Sequence, residues 1–151
     1  MPLPQGTAMQ VLIRPMQPDD IAAVLRVWHT TTAGNTGSID SPESLLQFLM
    51  RNPHTNFLVH AADNILGFIL CGHDGRRGLI HHLVVRGEFR RRGLGKAMVQ
   101  QAYAGLLQEN ITRLHVFFRG NESLEGRLFW KALGCRERSD TVHLSILLAD
   151  E

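Results

Sequence analysis

Arg90-Arg91-Arg92-Gly93-Leu94-Gly95-Lys96 puts four cations and two glycines into seven residues, directly ahead of a segment with helical periodicity. Backbone N–H groups at a helix start have no acceptor inside the helix, and the dipole there is positive. Glycines let an anion come close to that backbone. The chemistry expected of the stretch is the binding of a polyanion. Arg76, Arg77 and Arg86 extend the basic cluster, and Glu88 is the only acid among them. The spacing is not a P-loop, because Arg90 holds the first glycine's place and Ala97 the Ser/Thr place. It is not a dinucleotide fingerprint, because Met98 holds the place of the third glycine.

Two elements must hold this loop. Upstream, Leu79-Ile80-His81-His82-Leu83-Val84-Val85 is a short apolar run bounded by Gly78 and Gly87, the pattern of a buried strand. Downstream, Leu94, Met98, Ala102 and Leu106 recur every fourth residue and predict a helix with one face packed on a sheet.

The order of elements predicts a mixed α/β sandwich. Met9–Arg14 reads as a first strand, and Asp19 as the N-cap of a helix carrying Ile21, Val24, Leu25 and Trp28 inward. A Thr- and Gly-rich loop follows at 30–38. Ser41-Pro42-Glu43 opens a second helix with Leu45, Phe48 and Leu49 inward. Phe57–Ala61 and Ile65–Cys71 read as strands joined by an Asp63-Asn64 turn, with a second turn at 72–75 leading into the central strand. Arg113–Phe118 reads as a strand, Glu122–Leu133 as a helix and Thr141–Leu148 as a last strand. One domain over residues 1–151 is expected, with residues 1–8 frayed.

With 44% hydrophobic and 20% charged residues and a net charge of +2, the composition is that of a soluble globular protein. No apolar run reaches the ~20 residues of a membrane span, and the first ten residues lack the features of a signal peptide. Cys71 and Cys135 lie in apolar surroundings without metal-ligand spacing, so they read as reduced core thiols of a cytoplasmic protein. Without aromatic residues interleaved among the arginines, nucleic-acid binding is not favoured.

Arg90-x-x-Gly93-x-Gly95 resembles motif A of the GNAT superfamily of N-acetyltransferases, in which Arg or Gln is followed after two residues by Gly, one residue, then Gly or Ala. Leu83-Val84-Val85 stands where that family carries the end of the preceding strand, and Gly87 where it usually carries Pro. Gly126–Cys135 is similar to the family's motif B helix. Asp74–Gly78, His82-Leu83 and Phe129-Trp130 look like a bacterial subgroup related to the ribosomal-protein acetyltransferases. The resemblance covers residues 65–147 and implies a GNAT fold, a mixed and mostly antiparallel sheet flanked by helices. It implies acetyl-CoA as donor, with no metal, and as acceptor a primary amine of a small molecule or protein.

Carried over by position, Leu83, Val84 and Val85 would line the pantetheine arm, and Arg90, Arg91, Arg92, Gly93, Leu94, Gly95 and Lys96 would hold the pyrophosphate. Asn121 or Ser123 would reach the coenzyme. Direct attack on a thioester needs a neutral amine, whereas a lysine-like amine with pKa near ~10.4 is mostly protonated at neutral pH. His81, with the parity of Leu83 and Val85, is the first candidate base, His82 the second and His115 the third. Alternation along a strand would let only one of the adjacent pair face the acceptor. Motif B departs from the family at Trp130, where the usual acid is Tyr; an indole is not a practical proton donor. A non-catalytic CoA-binding regulatory module is the alternative this departure leaves open. A homodimer through the C-terminal strands is compatible with the sequence, though no residue in it asks for one.

Overall fold

The computed structural model describes residues 10–31, 40–117 and 124–149. These fall into two compact units that divide between Phe117 and Phe118.

The first unit is built on a sheet of strands β1 (Val11–Pro15), β2 (Phe57–Ala61), β3 (Asn64–His73), β4 (Gly78–Val85) and β5 (Leu114–Val116). They lie side by side in chain order, antiparallel from β1 to β4 and parallel between β4 and β5. Helices α1 (Ile21–Thr31) and α2 (Pro42–Arg51) separate β1 from β2, and α3 (Leu94–Gln108) separates β4 from β5. This is the mixed, mostly antiparallel sheet with flanking helices that the sequence predicts.

Helix α1 buries Ile21, Val24, Leu25 and Trp28, the i, i+3, i+4, i+7 stripe of its sequence. They join Leu45 and Leu49 of α2 and Leu58, Phe68, Leu70 and Val84 of the sheet in one core. Each such side chain contributes about 1.5–3 kcal/mol by leaving water. Helix α3 covers the other face: a Cβ on Gly67 would meet Met98, and one on Gly78 would meet Leu106. Its closest approach is at Gly105, where a Cβ would lie 2.0 Å from the His54 carbonyl oxygen.

Ser41 caps α2 as expected, its side chain accepting from the Ser44 N–H at 3.1 Å. Asp19 does not cap α1. A 3-10 turn at Pro18–Asp20 precedes that helix. Its carboxylate of consequence is Asp20, which accepts from Gln17 N–H at 2.7 Å and from both Arg14 terminal nitrogens at 2.7 and 2.8 Å. The guanidinium therefore holds the Asp20 carboxyl below its ordinary range. The β2–β3 turn is Ala62-Asp63, one residue earlier than expected, since Ala61 pairs with Asn64.

In the second unit α4 (Leu124–Ala132) buries Trp130, with Phe129 edge-on to it at 5.0 Å. Gly134, at φ +92°, ends the helix: its N–H reaches Lys131 O at 3.0 Å, and the Cys135 N–H reaches Trp130 O at 3.0 Å. The strand expected at Thr141–Leu148 is absent. Val142, Leu144, Ile146 and Leu148 alternate as a strand would, but they are 82–89% exposed. A strand exists only against a partner, and this segment has no ladder partner among the described residues. No helix among the described residues is long and apolar enough to cross a membrane.

Candidate active site

Strand β4 departs from regular pleating where chemistry was expected. Across the β3–β4 ladder Leu70 pairs with His82 but Cys71 pairs with Ile80, which leaves His81 as the extra residue of a β-bulge. The two histidines therefore emerge on the same face, toward α1 and α2. His81 meets Phe48 of α2 edge-on at 5.3 Å, and His82 lies 4.3 Å from the Trp28 ring of α1. The alternation that would let only one of them face an acceptor is overturned, as is the common parity of His81 with Leu83 and Val85. The bulge had no marker in the sequence.

Both rings are held below the ordinary histidine pKa, chiefly by burial and against the pull of the Asp40 carboxylate. His81 keeps solvent access, while His82 is half-buried. A neutral imidazole with an open lone pair can accept a proton near pH 7. Asp40, at the entry to α2, was not foreseen as part of this group. Only its charge toward the two rings reveals it.

The second feature of β4 is its free edge. Strand β5 pairs only with Gly78, Leu79 and Ile80. From His81 to Val85 the edge away from β3 has no partner strand among the described residues. Leu83, Val84 and Val85, expected to line an extended ligand, lie along this opening.

The edge runs into the basic loop. After a 3-10 turn at Gly87–Phe89, the Arg90 side chain folds back to donate from Nε to Val85 O at 3.1 Å. Arg86 and Arg92 lie over the Phe89 ring at 5.8 and 5.4 Å. Arg91 and Gly93 take positive φ, +62° and +79°. Gly93 is the N-cap of α3 and has no side chain to satisfy the helix start. The first helical bond is Ala97 N–H to Gly93 O at 3.0 Å. The N–H groups of Leu94, Gly95 and Lys96 thus precede any intrahelical acceptor. The role of Gly93 is conformational: a Cβ there would touch nothing within 4 Å.

Beside the bulge lies a cavity of about 700 Å³, lined by Phe48, Arg51 and Asn52 of α2 and its end, by His73, Asp74 and Arg77 at the β3–β4 turn, and by Leu79, His81, His115 and Phe117. His115 on β5 and His81 on β4 share this space. A buried amide pair fixes its floor. Asn52 Oδ1 accepts the His73 N–H at 3.0 Å, and Asn56 Oδ1 accepts the Cys71 N–H at 2.8 Å. Asn56 in turn donates to Asn52 O at 2.9 Å. Asn52 and Phe48 were not singled out in the sequence as site residues. Asn121 and Ser123 lie outside the described residues. Trp130 belongs to the second unit.

Residues 22–134 match the profile of the acetyltransferase (GNAT) family. The chain belongs to that family. A Photorhabdus laumondii protein named an acetyltransferase is 26% identical over 102 residues, 68% of this chain and 71% of the relative. Among solved structures, the GNAT fold of this chain matches that of PaiA N-acetyltransferase from Thermoplasma acidophilum in complex with coenzyme A. The TM-score is 0.69 at 19% identity, covering 82% of this chain and 89% of that one. An aminoglycoside acetyltransferase from an uncultured soil metagenomic sample, in complex with sisomicin, gives 0.72 at 16% identity over 92% and 97%.

Proposed function

We propose that this acetyltransferase moves the acetyl group of acetyl-CoA directly to a primary amine. The observation that carries the reading is the continuity of three features along one stretch of chain: His81 at the β4 bulge beside a cavity, the free edge of β4, and, past the basic loop that follows it, the amides of Leu94, Gly95 and Lys96 at the start of α3, unpaired among the described residues. Coenzyme A is an extended chain ending in a polyphosphate, and these features offer an edge for the chain and donors for the phosphates. Arg91, Arg92 and Lys96 add charge there. Arg90 acts through Val85, holding the loop on the strand. The family resemblance and the relative solved with coenzyme A support the same donor.

In the reaction the amine nitrogen attacks the thioester carbonyl carbon, the carbonyl pair moves to oxygen, and the C–S bond then breaks with release of coenzyme A thiolate. His81 takes the proton that the nitrogen gives up, with His82 as its runner-up. Main-chain N–H groups on the free edge of β4 supply donors for the oxyanion. The thiolate takes its proton from water or from the acceptor, since Trp130 occupies the place of the family's Tyr. That same substitution favours the second reading, a coenzyme-binding module without transferase activity.

Incubation with radiolabelled acetyl-CoA and a panel of amines separates the two. Labelled acetyl-amine is expected, and coenzyme binding with no product from any amine would leave only the binding module.

A further inference from the structure

The cavity beside His81 carries a charge pattern that selects among amines. Among the described residues its lining holds two guanidinium groups, Arg51 and Arg77, and three histidines, His73, His81 and His115, against one carboxylate, Asp74. That carboxylate is spent within its own turn: Oδ1 accepts the N–H groups of Arg76 and Arg77 at 2.8 and 2.9 Å, and Oδ2 lies 3.9 Å from Arg76 Nη2. Glu109, which holds the His73 ring of the lining, is likewise engaged, by that ring and by His54 Nδ1 at 2.8 Å. The side chains of Arg51 and Arg77 make no hydrogen bond or ion pair among the described residues.

We infer that the acceptor is a small amine that also bears an oxyanion, a carboxylate or phosphate-type group, with the anion held by Arg51 and Arg77 and the amine directed to His81. The inference rests on the acetyl-transfer reading of this site. Four considerations lead to it. The volume, about 700 Å³, is that of a small-molecule site. The two free guanidinium groups come from different elements, the last turn of α2 and the β3–β4 turn, and open on the same space as His81. Guanidinium forks bind oxyanions by charge-assisted, often bidentate hydrogen bonds. A polycationic acceptor would meet two unpaired like charges in this lining; the Asp40 carboxylate, whose charge reaches His81 and His82, is not part of it. The same positive surroundings lower the pKa of an incoming ammonium group and so favour the neutral amine that attack requires.

The experiment compares four acceptors of similar length with acetyl-CoA: 4-aminobutyrate, 3-aminopropylphosphonate, 1-aminobutane and 1,4-diaminobutane. Coenzyme binding is followed on the same samples by thermal shift. The expected result is a kcat/KM for one or both anionic acceptors at least about tenfold above that for 1-aminobutane, with the diamine lowest. The carboxylate and phosphonate arms separate the two sources of oxyanion. Arg51→Gln and Arg77→Gln, both at exposed positions, should each bring the anionic-to-neutral ratio toward one, mainly through KM, with the coenzyme shift retained as evidence of folding. Equal or better use of the neutral amine or the diamine, or turnover of no anionic amine while coenzyme binds, overturns the inference and leaves the coenzyme site standing. Absence of coenzyme binding overturns both readings.

Discussion

His81 and His82 leave β4 on the same side of the sheet, one edge-on to Phe48 and the other against Trp28. Neighbours on a regular strand cannot do this; the bulge opposite Leu70 and Cys71 makes it possible. The two rings differ in access. His81 opens on the cavity, and His82 packs beside the core tryptophan. His81→Gln should therefore lower kcat by about 10²-fold or more without weakening coenzyme binding. His82→Gln should lose less activity and more thermal stability. Steady-state kinetics beside thermal unfolding of both variants checks this, and a larger kcat loss in His82→Gln would reverse the assignment.

Both histidines have their pKa lowered in the fold, first by burial. Neutral imidazole is the active form, so the rate should be flat near neutrality and fall as pH drops through the folded pKa, which lies below the ordinary histidine value. The stability effect has the same sign. The unfolded chain binds these protons at higher pH than the folded one, so their contribution is complete above the unfolded pKa and lost on acidification. A pH–rate profile with an acceptor that does not titrate between about pH 5 and 8 reads the first effect. An acid limb centred above the ordinary histidine value would contradict it.

Gly105 and Gly93 are needed for different reasons, and alanine should separate them. At Gly105 an added Cβ would run into the His54 backbone oxygen, so Gly105→Ala should cost about 1–3 kcal/mol and lower Tm. At Gly93 there is open space, but φ is +79°, so Gly93→Ala should cost roughly 1–2 kcal/mol through backbone strain alone. Denaturant unfolding of the two variants measures both costs.

Much of the fold was legible because it is written in local patterns. The Ile21–Trp28 stripe, the Ser41 cap and the fourfold spacing from Leu94 to Leu106 each set an element that the structure contains. The basic glycine loop was legible for the same reason, since Gly93 must be read against the helix that follows it. The His81 bulge was not, because a bulge depends on the pairing of two strands and leaves no signature in either. Asp40, Asn52 and Phe48 escaped notice because each is brought to the site by a helix distant in sequence from β4. Thr141–Leu148 shows the converse: alternation alone predicts a strand, but only a partner makes one.

Cys71 is fully buried and desolvation pushes its thiol up to about 12, so it is almost wholly protonated at neutral pH. In the native protein it should resist alkylation by iodoacetamide and react on unfolding. Mass spectrometry of peptides labelled before and after denaturation checks this, and rapid native labelling of Cys71 would show the strand opening.

The most direct measurement is thermal unfolding with and without acetyl-CoA, for the wild-type protein and for a Gly93→Asp, Gly95→Asp double variant that places two carboxylates at the start of α3. Ligand at ~100 times its dissociation constant should stabilise the wild type by about 2.7 kcal/mol. The predicted result is a clear upward shift that the folded double variant lacks. No shift in the wild type at millimolar acetyl-CoA, or an equal shift in the double variant, would contradict the assignment of the β4 edge and α3 start as the coenzyme site.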